Sequence, residues 1–382
     1  MRRLSCFLLV CVLLVGFFPI TAQAVDLNID AKSAFLMDVE TGTVLYESNA
    51  HEKLAPASVT KVMTLLLIME AIDSGKIRWE DTVTASEAAA AKGGSQIYLK
   101  VGETMSVTDM VKSIAVSSAN DCACAMAEHI AGSESAFVDM MNNRAQELGM
   151  QDTHFVNCTG LDDDPNAKDH LTSAHDIAIM SRELLKNHPD IKKFTTIWMD
   201  TVRNGEFGLS NTNKLVRFYN GATGLKTGFT SAAGYCLSAS AEREGMELIA
   251  VVMGCESSQI RFAACKSMLD YGFANFALVK KEITQDTTVP VKLGQTDRVN
   301  AVPAEETALL VDKSQVNSVN ITVELEEEVT APVSKGQRLG TMTIKAGEQV
   351  LTQIPMVAET AVPRLTFGQI FIHMLKATFM AK

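Results

Sequence analysis

The spacing of hydrophobic residues changes along the chain and predicts a succession of strands and helices. Between residues 33 and 48, apolar and polar positions alternate on both sides of a turn at 40–42, which predicts a β-hairpin. From Pro56 to Gly75, apolar residues at 62, 65–69 and 72 leave almost no polar face, which predicts a buried helix. Pro56 suits the first helical position, and Gly75 suits the left-handed cap that follows the last turn. Further helices are predicted from Ser106 to Ile130 with a break at 117–121, and at 135–148, 173–187 and 260–273.

The second half of the chain predicts more strands. Residues 234–241 and 246–253 are β-rich runs joined by a short turn, so they should pair antiparallel. Helices in the middle with strands on both sides predict an α/β, or multidomain α+β, fold in which helices cover an antiparallel sheet and form a helical subdomain. Residues 280–359 contain short runs of Val, Thr and Ile separated by Gly, Pro and Asp, which predicts a small all-β module without catalytic motifs.

The last segment, residues 363–382, has a broad apolar face and a narrow polar stripe at helical spacing. No acidic residue follows Glu359, whereas three basic residues do. A basic amphipathic helix in an otherwise acidic chain suits the surface of an anionic membrane, and it is too short and too polar to span one. The alternative is a terminal helix that packs on its own β module.

The chain begins with the pattern of a secretory signal. Arg2 and Arg3 precede an apolar run at 4–20, and a small-x-small cleavage pattern follows at 22–24. A retained membrane anchor is the alternative, but nothing after Ala24 extends the apolar run. We therefore expect four parts: a signal peptide at 1–24, a main domain of helices and strands at 25–279, an all-β domain at 280–360 and an amphipathic helix at 361–382.

Charge and cysteine content narrow the possible partners. The formal net charge of −11 argues against a nucleic-acid partner, which would need a basic face. Two of the eight cysteines lie in the signal. Export would permit disulfides among the others, but they can pair in about 15 ways and the spacing selects none. Buried free thiols remain open as an alternative.

Candidate chemistry begins in the first turn of the apolar helix. Ser58 and Lys61 are three residues apart and therefore point the same way. A lysine kept neutral by burial or a nearby cation can take the proton of a serine, and a helix N-terminus favours developing negative charge. The alternative is a capping serine beside a lysine that reaches solvent.

Two further short motifs follow in order, Ser118-Ala-Asn120 and Lys226-Thr-Gly228. With Ser58-Val-Thr-Lys61 they resemble the triple signature of penicillin-binding proteins and serine β-lactamases. Beyond these motifs, the sequence resembles the low-molecular-mass D-alanyl-D-alanine carboxypeptidases over essentially the whole mature chain. The stretches that carry this resemblance are APASVTKVMT, SSANDCACAMAEHI, HLTSAHDIA and TGLKTGFTSAAGYCLSASA.

The resemblance implies a β-lactamase/transpeptidase-like catalytic domain and assigns roles to residues. Ser58 would be the nucleophile that forms an acyl-enzyme with the penultimate D-Ala, and Lys61 its general base. Ser118 would relay a proton to the leaving amine. Asn120 would bind the substrate amide and hold Lys61. No metal or cofactor is implied.

The third motif would bind the substrate. Lys226 would supply positive charge that helps to keep Lys61 neutral, and Thr227 would bind the terminal carboxylate. Gly228 would let the substrate backbone lie close to the strand. The backbone N–H groups of Ser58 and Phe229 would form the oxyanion hole. Arg261, matched by position, would help to hold the carboxylate.

The implied activity is the trimming of peptidoglycan stem peptides that end in D-Ala-D-Ala, with β-lactams as covalent inhibitors. The enzyme would act in cell-wall biogenesis and cell shape, on the outer face of the cytoplasmic membrane. The alternatives are a serine β-lactamase and an inactive wall-binding scaffold. The acidic loop at 157–171 lacks a glutamate in an evident deacylating context, which makes fast β-lactam hydrolysis doubtful. The sequence suggests no role for His170 or His175.

Overall fold

The computed structural model describes residues 27–163 and 166–372. The expected signal peptide and the end of the expected terminal helix lie outside the described residues. The helices are α1 (Lys61–Asp73), α2 (Glu87–Ala90), α3 (Val107–Ser117), α4 (Asn120–Ala131), α5 (Glu134–Glu147), α6 (Ala174–Asn187), α7 (Lys192–Thr195), α8 (Leu215–Phe218) and α9 (Ser258–Asn275). The strands before residue 276 are β1 (Ser33–Asp38), β2 (Val44–Ser48), β3 (Thr82–Thr84), β4 (Thr104–Ser106), β5 (Met199–Val202), β6 (Phe207–Ser210), β7 (Ala222–Thr230), β8 (Gly234–Arg243) and β9 (Met246–Cys255). The later strands are β10 (Phe276–Val279), β11 (Thr288–Lys292), β12 (Arg298–Pro303), β13 (Leu309–Asp312), β14 (Val319–Leu325), β15 (Val329–Thr330), β16 (Arg338–Ala346) and β17 (Gln349–Ala358).

A five-stranded antiparallel sheet in the order β2-β1-β9-β8-β7 forms the centre of the first domain. Both predicted hairpins, β1–β2 and β8–β9, are confirmed. Successive residues of β9 face opposite cores: Val251 belongs to the core shared with α1 and α6, and Val252 to the core shared with α9. Helices therefore cover both faces, which explains why β9 is an almost continuous apolar run. The predicted arrangement of helices on an antiparallel sheet is confirmed.

The apolar helix is buried as predicted, but its first turn differs. A single 3-10 turn, Ala57–Thr60, precedes α1, so Ser58 lies in that turn and Lys61 is the first residue of the α-helix. Gly75 follows the helix with φ +74°, the left-handed conformation predicted for it.

Capping residues in the sequence correctly predict where several other helices begin and end. The side chain of Ser106 accepts a hydrogen bond from the backbone N–H of Asp109, and Ser173 caps α6 in the same way. Gly149 follows α5 in a left-handed conformation. The cysteines of the described residues are all free and buried, so the thiol alternative is the correct one.

The strands after residue 280 form mainly one six-stranded sheet in the order β14-β16-β17-β12-β11-β15, with a core around Val289 and Met342. The all-β prediction for this region is confirmed. β10 pairs with β13, and an ion pair of 2.8 Å between Lys186 and Glu306 also joins this region to the first domain. Residues 367–372 are helical and the rings of Phe367 and Phe371 are exposed. Across 27–163 and 166–372, no helix has the length and apolar character needed to cross a membrane.

Candidate active site

The three motifs converge beside the edge strand β7. A Cβ atom on Gly228 would lie 3.1 Å from the backbone nitrogen of Ser58, so strand and nucleophile turn are in direct contact. The second motif joins them through Thr212. The N–H of Thr212 donates to the carbonyl of Val116, two residues before Ser118, and its hydroxyl accepts a 2.7 Å hydrogen bond from Thr227.

Lys61 is fully buried and its amine lies 2.9 Å from Ser58 Oγ. The same amine donates to the backbone carbonyl of Thr159 at 2.7 Å. Burial lowers the pKa of Lys61 from 10.5 to about 7, and the Asp121 carboxylate opposes this shift only in part. At neutral pH a large fraction of this amine is therefore unprotonated and can accept the serine proton.

Lys226 is the second buried lysine, and its amine donates to the carbonyl of Thr227 at 2.8 Å. Its pKa is lowered well below the usual value, first by burial and then by the positive charges of Lys61 and Arg261. Burial is the largest cause for both amines, and the charge of Lys61 further lowers the pKa of Lys226. The converse expectation, that Lys226 helps to keep Lys61 neutral, stays a prediction.

Ser118 and Asn120 lie at the junction of α3 and α4. Ser118 ends α3 with φ 63°, in the left-handed region. Its buried Oγ and the buried Oδ1 of Asn120 have no hydrogen-bond partner within the described part of the chain. Asn120 Nδ2 donates to the carbonyl of Gly93 at 2.8 Å. A direct bond from Lys61 to Asn120 Oδ1 is therefore not formed here, and the Thr159 carbonyl holds the amine instead. Unsatisfied buried polar atoms of this kind are suited to receive a ligand.

Strand β7 and the helix behind it hold the remaining predicted residues. A Cβ on Gly228 would lie 2.6 Å from the carbonyl oxygen of Pro56, so the glycine is required for the strand to approach the nucleophile turn. Arg261 reaches the strand from α9, on the opposite face of the sheet, and Nη1 donates to the Gly228 carbonyl at 2.9 Å. In this position the guanidinium supports the strand. The ring of Phe229 is half exposed and packs against Tyr235 in a tilted arrangement, with 4.3 Å between centroids.

The loop at 157–161 holds functional contacts that the sequence did not single out. Asn157 Oδ1 accepts hydrogen bonds from the N–H groups of Thr159 and Gly160, which fixes the carbonyl that binds Lys61. Gly160 has φ +79°, and a Cβ there would lie 1.8 Å from the carbonyl oxygen of Ala57. An Asn followed three residues later by Gly is a turn signature, so the sequence did contain a signal for this tight turn.

Two other buried polar residues next to the nucleophile turn were also missed. His170 Nε2 lies 2.7 Å from Thr60 Oγ1, and Thr60 Oγ1 donates to the carbonyl of Ala57 at 2.8 Å. Ala57, directly before Ser58, has φ +48°, a conformation that costs an alanine roughly 1–3 kcal/mol. The surrounding contacts must therefore hold it there.

One group of side chains in the described residues has the spacing of a metal site: Glu70, Glu183 and His188. The guanidinium of Arg144 already bridges the two glutamates, with hydrogen bonds of 2.7 Å to each. This group lies outside the motif cluster and its carboxylates are neutralised by a protein cation.

Comparison with known proteins places these residues in a family. Residues 20–257 match the family described as D-alanyl-D-alanine carboxypeptidase, and residues 273–364 match the C-terminal domain of penicillin-binding protein 5. The chain is 43% identical to D-alanyl-D-alanine carboxypeptidase DacF of Bacillus subtilis (strain 168), over 96% of each chain.

Solved structures agree. Penicillin-binding protein 5 of Haemophilus influenzae superposes with a TM-score of 0.76 at 32% identity, covering 88% of this chain and 98% of that one. Penicillin-binding protein D2 of Listeria monocytogenes, solved in its ampicillin-bound form, superposes with a TM-score of 0.59 at 32% identity, covering 64% and 98%. The chain belongs to the D-alanyl-D-alanine carboxypeptidase family of serine peptidases.

Proposed function

We propose that this protein removes the terminal D-Ala from peptidoglycan stem peptides ending in D-Ala-D-Ala, through an acyl-enzyme on Ser58. The observation that carries the proposal is the 2.9 Å contact between Ser58 Oγ and the buried amine of Lys61, whose pKa is about 7. A serine needs such a base to become a nucleophile at neutral pH.

In acylation, Ser58 Oγ attacks the carbonyl carbon of the penultimate D-Ala and its proton passes to Lys61. The N–H groups of Ser58 and Phe229 stabilise the negative oxygen of the tetrahedral intermediate. The peptide C–N bond then breaks, and Ser118 relays a proton to the departing amine of D-Ala. Water hydrolyses the ester and regenerates Ser58.

Substrate binding uses the remaining polar groups of the cleft. Asn120 binds the substrate amide through its side chain, and Thr227 together with Lys226 binds the terminal carboxylate. The pKa of Lys226 is depressed, so a bound carboxylate stabilises its protonated form. Arg261 is proposed to help hold the carboxylate, and its hydrogen bond to the Gly228 carbonyl also supports β7.

β-Lactams are proposed to acylate the same serine and to remain bound. Among the residues that the structure describes, no carboxylate hydrogen-bonds to Ser58 or Lys61, so no acidic base is positioned to activate a deacylating water quickly. This favours a penicillin-sensitive peptidase over a β-lactamase.

The test is release of free D-Ala from a peptide ending in D-Ala-D-Ala, compared with turnover of nitrocefin. We expect D-Ala release by the mature enzyme, none by Ser58→Ala, and unchanged release by Ser334→Ala, which changes an exposed serine of the all-β region. Labelled penicillin should form a covalent adduct that Ser58→Ala abolishes. Nitrocefin turnover without D-Ala release would indicate a β-lactamase, and neither activity would indicate a scaffold.

We also propose that residues 1–24 export the chain, that 25–279 carry catalysis and that 280–360 form a spacer. In this proposal residues 361–382 lie on the outer face of the cytoplasmic membrane, where the enzyme trims new wall and influences cell shape. The described start of this last segment exposes Phe367, Phe371 and Ile372, which supports an apolar face turned away from the protein.

Vesicle binding tests the membrane proposal. Mature protein should co-sediment with phosphatidylglycerol vesicles and less with phosphatidylcholine vesicles. A variant that ends at residue 365, which keeps Val362 in the core of the all-β region, should remain in the supernatant with D-Ala release unchanged. Equal binding by both forms would contradict the proposal.

A further inference from the structure

A chain of hydrogen bonds runs from the loop before α6 to the residue that precedes the nucleophile. The N–H of Val156 donates to His170 Nδ1 at 3.0 Å. His170 Nε2 contacts Thr60 Oγ1 at 2.7 Å, and Thr60 Oγ1 donates to the Ala57 carbonyl at 2.8 Å. His170, Thr60 and Ala57 are all buried.

The groups at the two ends of this series of hydrogen bonds, the Val156 N–H and the Ala57 carbonyl, determine which atom donates in each bond. A backbone N–H can only donate, so His170 Nδ1 must be the unprotonated nitrogen and Nε2 must carry the proton. A carbonyl can only accept, so the Thr60 hydroxyl gives its proton to Ala57 and receives the one from His170. The neutral histidine in this one tautomer satisfies all three bonds.

The last acceptor belongs to the same peptide unit as the N–H of Ser58. A trans peptide is planar, with its C=O and N–H pointing in opposite directions, so fixing the Ala57 carbonyl also fixes the direction of the Ser58 N–H. Ala57 needs this restraint because its φ of +48° is unfavourable for a residue with a side chain. Gly160 packs against the same carbonyl and leaves little space for the peptide to rotate.

We infer that His170 and Thr60 are positioning residues for acylation, because they orient the Ala57–Ser58 peptide so that the Ser58 N–H points at the developing oxyanion. This inference rests on the proposed function, in which that N–H is an oxyanion donor. Neither residue touches the substrate. Their effect is expected in the transition state, where the oxygen becomes negative, and much less in substrate binding.

The main test is Thr60→Val, which keeps the side-chain shape and removes the hydroxyl. We expect kcat for D-Ala release and the rate of penicillin acylation to fall at least tenfold, with KM changed less than twofold. Thr60→Ser should restore most of both rates. The matched control is Thr195→Val. Thr195 is as buried as Thr60, and its hydroxyl also donates to a backbone carbonyl, namely that of Thr223 at 2.6 Å. This control should lose similar thermal stability and keep both rates.

If Thr60→Val does not fold, a pair of His170 variants tests the direction of the hydrogen bond between His170 and Thr60. The side-chain nitrogen of His170→Gln reaches the position of Nε2 and can donate to Thr60, whereas His170→Asn reaches only the position of Nδ1. We expect the glutamine variant to keep more than half of the wild-type kcat and the asparagine variant to lose at least fivefold. Equal rates for Thr60→Val and Thr195→Val, or for the two His170 variants, would overturn the inference. A wild-type enzyme without D-Ala release or a penicillin adduct would instead overturn the proposed function.

Discussion

Replacing the buried base Lys61 with methionine should abolish acylation and stabilise the fold in a pH-dependent way. Burial lowers the pKa of Lys61 from 10.5 to about 7. Each pKa unit corresponds to about 1.4 kcal/mol, so burying this amine costs the wild-type fold about 5 kcal/mol at pH 7 or below. Methionine fills a similar volume without a charge. It leaves the Thr159 carbonyl unpaired, which costs about 1–3 kcal/mol at any pH.

The sign of the pH dependence follows from proton binding. Between pH 7 and 10.5 the unfolded chain keeps the proton on Lys61 while the folded chain has released it. The wild-type free energy of unfolding therefore rises with pH through this window, and the penalty is complete below it. The stability gained by Lys61→Met should be constant below pH 7. It should then shrink by about 1.4 kcal/mol for each pH unit above 7.

Urea unfolding at several pH values from 6 to 10 measures this slope. The protein has two tryptophans, Trp79 and Trp198, both in the domain that contains Lys61, so their fluorescence reports on the relevant unfolding. Lys335→Met, at an exposed lysine, is the control and should show no such slope. If the difference in unfolding free energy between the wild type and Lys61→Met does not change with pH, the lowered pKa of the buried Lys61 amine is refuted. Acylation of Lys61→Met at the wild-type rate would refute its role as base.

Three further outcomes are expected. Gly228→Ala puts a Cβ 2.6 Å from a backbone carbonyl oxygen just before the nucleophile, so penicillin acylation should fall at least tenfold, whereas Gly208→Ala, which meets no neighbour, should keep it. Gly94 has φ +70°, and the Cβ of Gly94→Ala would lie 2.8 Å from Asn120 Nδ2, so KM for the peptide should rise severalfold. An unchanged KM would contradict the role of Asn120 in binding the substrate amide. A carboxylate bound at Lys226 should raise its depressed pKa, so the peptide acid should bind to the Ser58→Ala enzyme with proton uptake at any pH where the free amine has lost its proton. Calorimetry in buffers of different ionisation enthalpy measures that uptake, and the peptide amide should show none.

Local signals in the sequence were enough to predict most elements. Ser106 and Ser173 cap helices because their hydroxyls reach N–H groups three residues ahead, and Gly75 ends α1 because it tolerates a positive φ. The hairpins followed from alternating patterns around short turns. These interactions join residues close in sequence, so a single sequence can reveal them.

The environment of the site could not be predicted in the same way. Lys61 is bound by the carbonyl of Thr159, and Thr60 is bound by His170 from a loop far along the chain. Gly228 was expected to let the substrate backbone lie close to the strand, and that role stays a prediction. The structure adds a contact with Pro56 of the protein itself that also requires a glycine there. Such contacts depend on how distant segments pack, and no spacing in the sequence encodes them.

The buried cations explain how an acidic protein can select an anionic substrate. Lys61, Lys226 and Arg261 make no ion pair with a carboxylate within the described residues, and burial lowers the pKa of each. A surface cluster of cations would be screened by salt and would bind many anions. In a buried cluster with lowered pKa values, the protonated forms are stabilised by a ligand that fits the cleft, because only such a ligand can bring its carboxylate out of water and close to these groups. Neutral Lys61 then acts as base, and any charge needed for binding resides on its neighbours. Burial therefore makes Lys61 a base at neutral pH and also makes the cleft selective for a carboxylate that fits it.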